Sequence, residues 1–248
     1  MDMDDMDDLD DSDDRPMAED ARGVSTKSLL FETIAFLSLI LPALILPYFV
    51  SSEPDGGGGF IGTAVATILH DLGFLCLVVF FVWRNGEPWG RIGWAPRKPA
   101  REVLLGFSLF LLMTFSADLV ERIITLAGIN LPSHPLPSSL IAGSPAGYIL
   151  GFVLVVVVAI SEETVFRGYL IARLAVVFRS RAAAVILSTL IFSIGHGYEG
   201  LTGVVAVFFI GLFLAVIYIW RGSLIAPVVI HILQDLAGLL SAVLSKHA

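Results

Sequence analysis

Seven apolar runs dominate the chain, at roughly 28–50, 60–83, 102–128, 145–170, 182–198, 202–220 and 223–244. An α-helix needs about 20 predominantly apolar residues to cross a bilayer, and most of these runs reach or exceed that. Hydrocarbon offers no partner to a bare N–H or C=O, so such runs must satisfy their own backbone as helices. The expected fold class is an all-α polytopic membrane protein of about seven transmembrane helices. The runs use nearly all of the 248 residues, which leaves one membrane domain over 28–248 behind a short tail, 1–27. Composition agrees: 56% of residues are apolar, against about 45–50% in a soluble domain.

The net charge of -8 belongs to that tail. Residues 1–14, "MDMDDMDDLDDSDD", hold nine Asp and no Lys or Arg. Removing those nine from the 23 acidic residues leaves 14 against 15 basic ones. A tail of this composition is expected to be disordered and solvated, and its charge excludes nucleic acid as a partner. The single cysteine, Cys76, lies within an apolar run and can form no intrachain disulfide. The first run is long, contains proline and follows the acidic tail, so it reads as a retained span rather than a signal peptide.

Loop charge sets the expected orientation. Arg84, Arg91, Arg97, Lys98 and Arg101 crowd the 84–101 loop, and Arg173, Arg179, Arg181 and Arg221 follow in later basic turns. The 51–59, 129–144 and 199–201 loops hold no Lys or Arg. Basic loops stay on the cytoplasmic side, so the N-terminus is expected inside and the C-terminus outside. Trp83, Trp89, Trp94 and Trp220 would anchor the inner interface. The hinge 51–60 is glycine-rich and the 130–145 segment proline-rich, so both read as loops.

Against this background, "AISEETVFRGYL" (159–170) places three charges directly after one of the most apolar runs. An ionisable group at that depth is expensive and persists when buried, paired or functional. Glu163 and Arg167 are four apart with Glu first, the favourable helical pairing order. Glu162 points about 100° away from that pair. The expectation is structural work for Glu163 and Arg167 and chemistry for Glu162. Two more runs carry histidine: "FSIGHGYEG" sets His196 four residues after Phe192, and "VVIHILQDLAG" sets His231 four before Asp235. His70 and Asp71, adjacent in the second run, read as a helix-end or packing pair; Asp118, Glu121, Arg122 and Glu199 read as span-end residues.

The segments "EETVFRG", "FSIGH" and "HILQD" fit the patterns EExxxR, FxxxH and a relative of HxxxN. Together they make the chain resemble the CPBP family of type II CAAX-prenyl endopeptidases, Rce1-like proteases and bacteriocin-processing or immunity (ABI) homologues. The resemblance covers about 145–240, and its specificity lies in the order of the motifs on the fourth, fifth and seventh runs. It implies an intramembrane protease core, with a polar site buried in the helix bundle and open towards the cytoplasm, in a multi-pass protein of a prokaryotic cell membrane. Carried over, Glu162 would be the general base working with His196. His231 would stabilise the oxyanion. Asp235 would stand where the family commonly has Asn, and Glu163, Arg167 and Phe192 would support the site. An ionised Asp accepts hydrogen bonds only, so Asp235 would orient a histidine or donate when protonated.

Glu162, His196 and His231 would also make a legitimate catalytic zinc set. With Glu163 committed to Arg167, no second carboxylate is left as base, and a metal-free mechanism is expected. The expected partners are the bilayer and a membrane-associated protein or peptide substrate. A non-catalytic scaffold or immunity protein of the same fold, and an ion- or proton-coupled transporter, stay open as alternatives.

Overall fold

The structure, a computed structural model, describes residues 25–45, 59–94, 98–128 and 141–247. The acidic tail through residue 24, the hinge over 51–58 and the proline-rich segment over 129–140 lie outside them. Every regular element among the described residues is helical: α1 (Thr26–Ile45), α2 (Gly59–Arg84), α3 (Pro99–Leu126), α4 (Pro145–Glu162), a π-helical segment (Glu163–Leu170), α5 (Ile171–Phe178), α6 (Arg181–Ile194), α7 (Gly200–Arg221) and α8 (Ile225–His247), with short 3-10 turns at Trp89–Ile92 and Gly197–Glu199. Six helical stretches are long and apolar enough to cross a membrane. The chain is thus an all-α polytopic membrane protein.

Two of the expected runs have different ends. The fourth does not stop near 170: α4, the π segment and α5 form one 34-residue rod, Pro145–Phe178. Its start is fixed by Ser144, whose hydroxyl accepts the Gly147 N–H (3.1 Å), with Pro145 in the first turn. "IARLAVVF" then continues the apolar pattern until Arg179 takes a left-handed φ of 52°. Arg173, expected in a basic loop, is inside this rod and 1% exposed. The fifth run, expected over 182–198, is a helix of only 14 residues that ends at Ile194. At 1.5 Å per residue it covers about 21 Å, short of the roughly 30 Å core. Gly195, Gly197 and Gly200 follow at once, and glycine is costly inside a helix.

Buried charge explains why Arg173 can lie inside. Glu32 of α1, 2% exposed, accepts from Tyr169 Oη (2.6 Å), Arg173 Nε (2.9 Å), Arg84 Nη2 (2.9 Å) and Asn85 Nδ2 (2.8 Å). Glu87 accepts from both terminal nitrogens of Arg173 and from Asn85. Burial pushes the Glu87 carboxyl up, but the Arg173 hydrogen bonds and charge, with Asn85 and Arg91, hold it below its ordinary value. The network joins α1, the end of α2, the 85–94 loop and α5 into one clamp.

That loop is pinned a second time. Gly93 has φ 86°, and a Cβ there would stand 2.7 Å from the Tyr218 ring, so only glycine fits. Its carbonyl accepts the Leu224 N–H (3.1 Å) at the corner between α7 and α8. Trp94 donates through Nε1 to Thr164 Oγ1 (3.0 Å) in the π segment. It therefore holds the bundle together, whereas Trp83, Trp89 and Trp220 remain exposed. Helix α2 packs along α4, α3 along α8, and α5, α6 and α7 in succession. Phe36, Val78, Phe81, Tyr169, Phe192 and Leu224 lie in the main core. Large apolar side chains such as Phe31, Leu104, Leu111 and Leu126 point outwards, which suits a lipid-facing surface and not an aqueous one.

Candidate active site

The π segment begins between the two glutamates. Glu162 is the last residue of α4 and Glu163 the first of the wider turn, a helix type found frequently at functional sites. Glu163 is completely buried. Its Oε1 lies 2.8 Å from Arg167 Nη1 and accepts the Nδ1–H of His231 from α8 at 2.8 Å. The expected pair with Arg167 is present, and Glu163 also anchors His231, a contact that spacing along one helix could not reveal.

Arg167 is held on three sides. Besides Glu163, its Nη2 donates to the Gly211 carbonyl of α7 (3.3 Å), and its guanidinium lies 4.1 Å from the centre of the Phe192 ring. A Cβ on Gly211 would stand 3.1 Å from both Arg167 Nη2 and the Phe192 ring, so a bare backbone is what lets α7 come this close. Phe192, 3% exposed, also carries both histidines against its ring, His196 at 4.8 Å and His231 edge-on at 6.2 Å between centroids.

His231 therefore has one nitrogen fixed. With Nδ1–H committed to Glu163, Nε2 faces Glu162 Oε2 and Asp235 Oδ2, each at 3.6 Å. Both distances exceed a direct hydrogen bond. A proton on Nε2 would sit between two carboxylates; without it the lone pair faces two acceptors. Glu162 and Asp235 remain partly accessible, at 19% and 31% of their side chains. Asp235 thus lies on the His231 face as the i, i+4 spacing expects.

His196 is not deep in a helix. It lies in the turn after α6, with Nδ1 3.1 Å from the Phe192 carbonyl oxygen and its ring 5.9 Å from Tyr198. Nδ1–H donating to that carbonyl leaves Nε2 for other contacts. The structure gives Glu162 a polar neighbour in His231, while His196 reaches the cluster through Phe192.

Beside Glu162 is a cavity of ≈ 30 Å³; a water molecule needs about 10–15 Å³. Its other polar walls are Ser161, His70 and Asp71. His70 and Asp71 sit near the middle of α2, not at its end, so of the two expectations the helix-end one misplaced them. His70 Nδ1 donates to Asp71 Oδ1 at 3.0 Å. An ionisable pair midway along an apolar run was the available sequence signal; its neighbours come from α4, about 90 residues later. Of the remaining span-end candidates, Arg122 Nε donates to Asp118 (2.7 Å) on the exposed part of α3, and Glu199 ends the 3-10 turn after His196.

The cluster offers a base, an anchored imidazole, a second carboxylate and a water-sized space, the parts needed to activate water against a carbonyl. Residues 144–237 match the family described as Type II CAAX prenyl endopeptidase Rce1-like. The match runs from the cap of α4 into α8 and contains Glu162, Glu163, Arg167, His196, His231 and Asp235. It agrees with the resemblance carried by the three motifs. No curated protein and no solved structure matches the chain.

Proposed function

We propose that the chain is an intramembrane endopeptidase of the CAAX-protease type, cleaving a membrane-associated protein or peptide with water activated by Glu162. The observation that carries the reading is the convergence of Glu162 and Asp235 on the one free nitrogen of an anchored His231, next to a water-sized cavity. Glu162 takes a proton from water as the water oxygen bonds to the substrate carbonyl carbon. His231 carrying a proton on Nε2 donates to the developing oxyanion, and donors of this kind are worth a few kcal/mol in a water-poor site. Asp235 aligns that imidazolium. His196, packed on the other face of the Phe192 contact with Nε2 uncommitted, is the member of the set left to meet the substrate. When the intermediate collapses, the C–N bond breaks and Glu162 returns its proton to the leaving amine.

The mechanism takes no metal. If a zinc ion were held, Glu162 and His231 Nε2 would be ligands, with Nδ1 anchored on a carboxylate as ligating histidines commonly are; His196 would have to turn towards it. The test is cleavage of bilayer-embedded peptides by the reconstituted protein, with prenylated and unprenylated versions of each substrate. Glu162→Gln should fold as wild type and lose about 10²- to 10⁴-fold in rate. Wild-type cleavage by Glu162→Gln would end the general-base assignment. No cleavage of any substrate, with binding retained, would favour the scaffold or immunity reading.

A further inference from the structure

Five buried side-chain atoms among the described residues have no hydrogen-bond partner, and three belong to residues lining the cavity beside Glu162: Asp71 Oδ2, Ser161 Oγ and Glu162 Oε2. Ser161 and Asp71 are 1% and 8% exposed. Buried polar groups left bare are rare, and a buried water typically makes about three hydrogen bonds to such groups. From these three atoms around one water-sized space we infer that Asp71 is a positioning residue for hydrolysis, holding the water that Glu162 activates. The inference rests on the peptidase reading and adds to it a residue from α2, outside the 144–237 match.

The hydrogen-bond inventory fits. A water has two hydrogens and two lone pairs. One hydrogen goes to the Glu162 carboxylate and the other to Asp71 Oδ2; the Ser161 hydroxyl donates to one lone pair. The second lone pair stays free to attack the substrate carbon. During attack the O–C bond forms and the proton passes to Glu162. Asp71 keeps the other hydrogen bond and leaves the step unchanged. His70, donating to Asp71 Oδ1, fixes the carboxylate so that Oδ2 is the oxygen left for the water. The wall behind is apolar, from Phe74, Val165 and Phe166, so the water has few competing partners. Asp235 and His231 from α8, Glu163 and Arg167 from the π segment and Tyr198 from the turn after α6 are other charged or titratable groups near Glu162.

The test uses the full-length protein in bilayers and the variants Asp71→Asn and Ser161→Ala. Asp71→Asn keeps the shape of the side chain but loses the carboxylate. It should retain the wild-type unfolding midpoint and KM and lose about 10- to 100-fold in kcat, the scale on which a misplaced reactant slows an enzyme. A second readout needs no turnover. The infrared carboxyl band that disappears in Glu162→Gln should shift in Asp71→Asn and in Ser161→Ala, because each removes a partner of the same water. Wild-type kcat in Asp71→Asn, or a Glu162 band unmoved by both variants, would overturn the inference. If the wild-type protein hydrolyses nothing, the peptidase reading fails and the infrared result alone decides whether the shared water exists. Should Asp71→Asn not fold, Ser161→Ala reads the water from its other side.

Discussion

Arg167→Ala is the sharpest probe of how the site is held. Arg167 and Glu163 are 1% and 0% exposed and 2.8 Å apart. Removing one member of a buried ion pair costs about 3–5 kcal/mol, because the other charge is left without compensation. The contact with Phe192 at 4.1 Å adds up to about 2 kcal/mol where it is desolvated, though the two terms share atoms and do not sum. One feature opposes the loss: His231 Nδ1 still donates to the same Glu163 oxygen. The expected net cost is therefore near the lower bound, about 3 kcal/mol, or roughly a hundredfold in the folded-to-unfolded ratio. Denaturant unfolding in mixed micelles would measure it, with the yield of monodisperse protein as a second readout. The double variant Glu163→Gln/Arg167→Met removes both charges while keeping an acceptor for His231 Nδ1–H. It should be more stable than Arg167→Ala, since replacing a whole buried pair is often neutral. An Arg167→Ala protein as stable as wild type, or a double variant no better than the single, would refute the claim that Arg167 compensates the buried Glu163.

Other expectations concern topology, acid stability and metal. Reporter fusions at residues 92 and 135 should fall on opposite sides of the membrane, the first with the cytoplasm; the same side for both would break the alternation of basic loops. Glu87 is held below the ordinary carboxylate value of 4.5 by Arg173 and its other partners. Its contribution is thus fully present above about pH 4.5 and lost as pH falls through the lower folded-state value. Glu87→Gln should flatten the acid limb of the stability curve between those points, and an unchanged limb would remove Glu87 from the clamp. Elemental analysis of purified protein should find no stoichiometric zinc, and activity should survive exhaustive chelation; zinc-restored activity after chelation would establish a metal enzyme.

The helical bundle was legible because membrane folding imposes one rule on every run: backbone groups must pair within the segment. Errors arose where side chains, not hydrophobicity, set the limits. Arg173 looks like a loop residue to any count of charges, but Glu32 and Glu87 neutralise it from 141 and 86 residues away. Glu32 itself carries no local signal in an apolar helix, because its four partners come from α2, the loop after it and the rod formed by α4 and α5. The short α6 was masked by its own composition: "FSIG" is apolar enough to extend a span, and only the following glycines mark its end.

At the site, helical spacing predicted the Glu163–Arg167 contact and the shared face of His231 and Asp235. It could not say which carboxylate meets which nitrogen. Residues i and i+1 on a helix diverge by about 100°, and the two nitrogens of an imidazole sit on opposite edges of the ring. One histidine from α8 can therefore be bracketed by adjacent glutamates: Glu163 takes Nδ1 at 2.8 Å, and Glu162 faces Nε2 at 3.6 Å. The short contact, fully buried and shared with Arg167, fixes the ring. The long contact is beyond direct hydrogen-bonding reach, so Glu162 keeps an unpartnered oxygen and borders the cavity. The doubled glutamate thus divides its labour by distance: one holds the imidazole, and its neighbour keeps an oxygen without a hydrogen-bond partner.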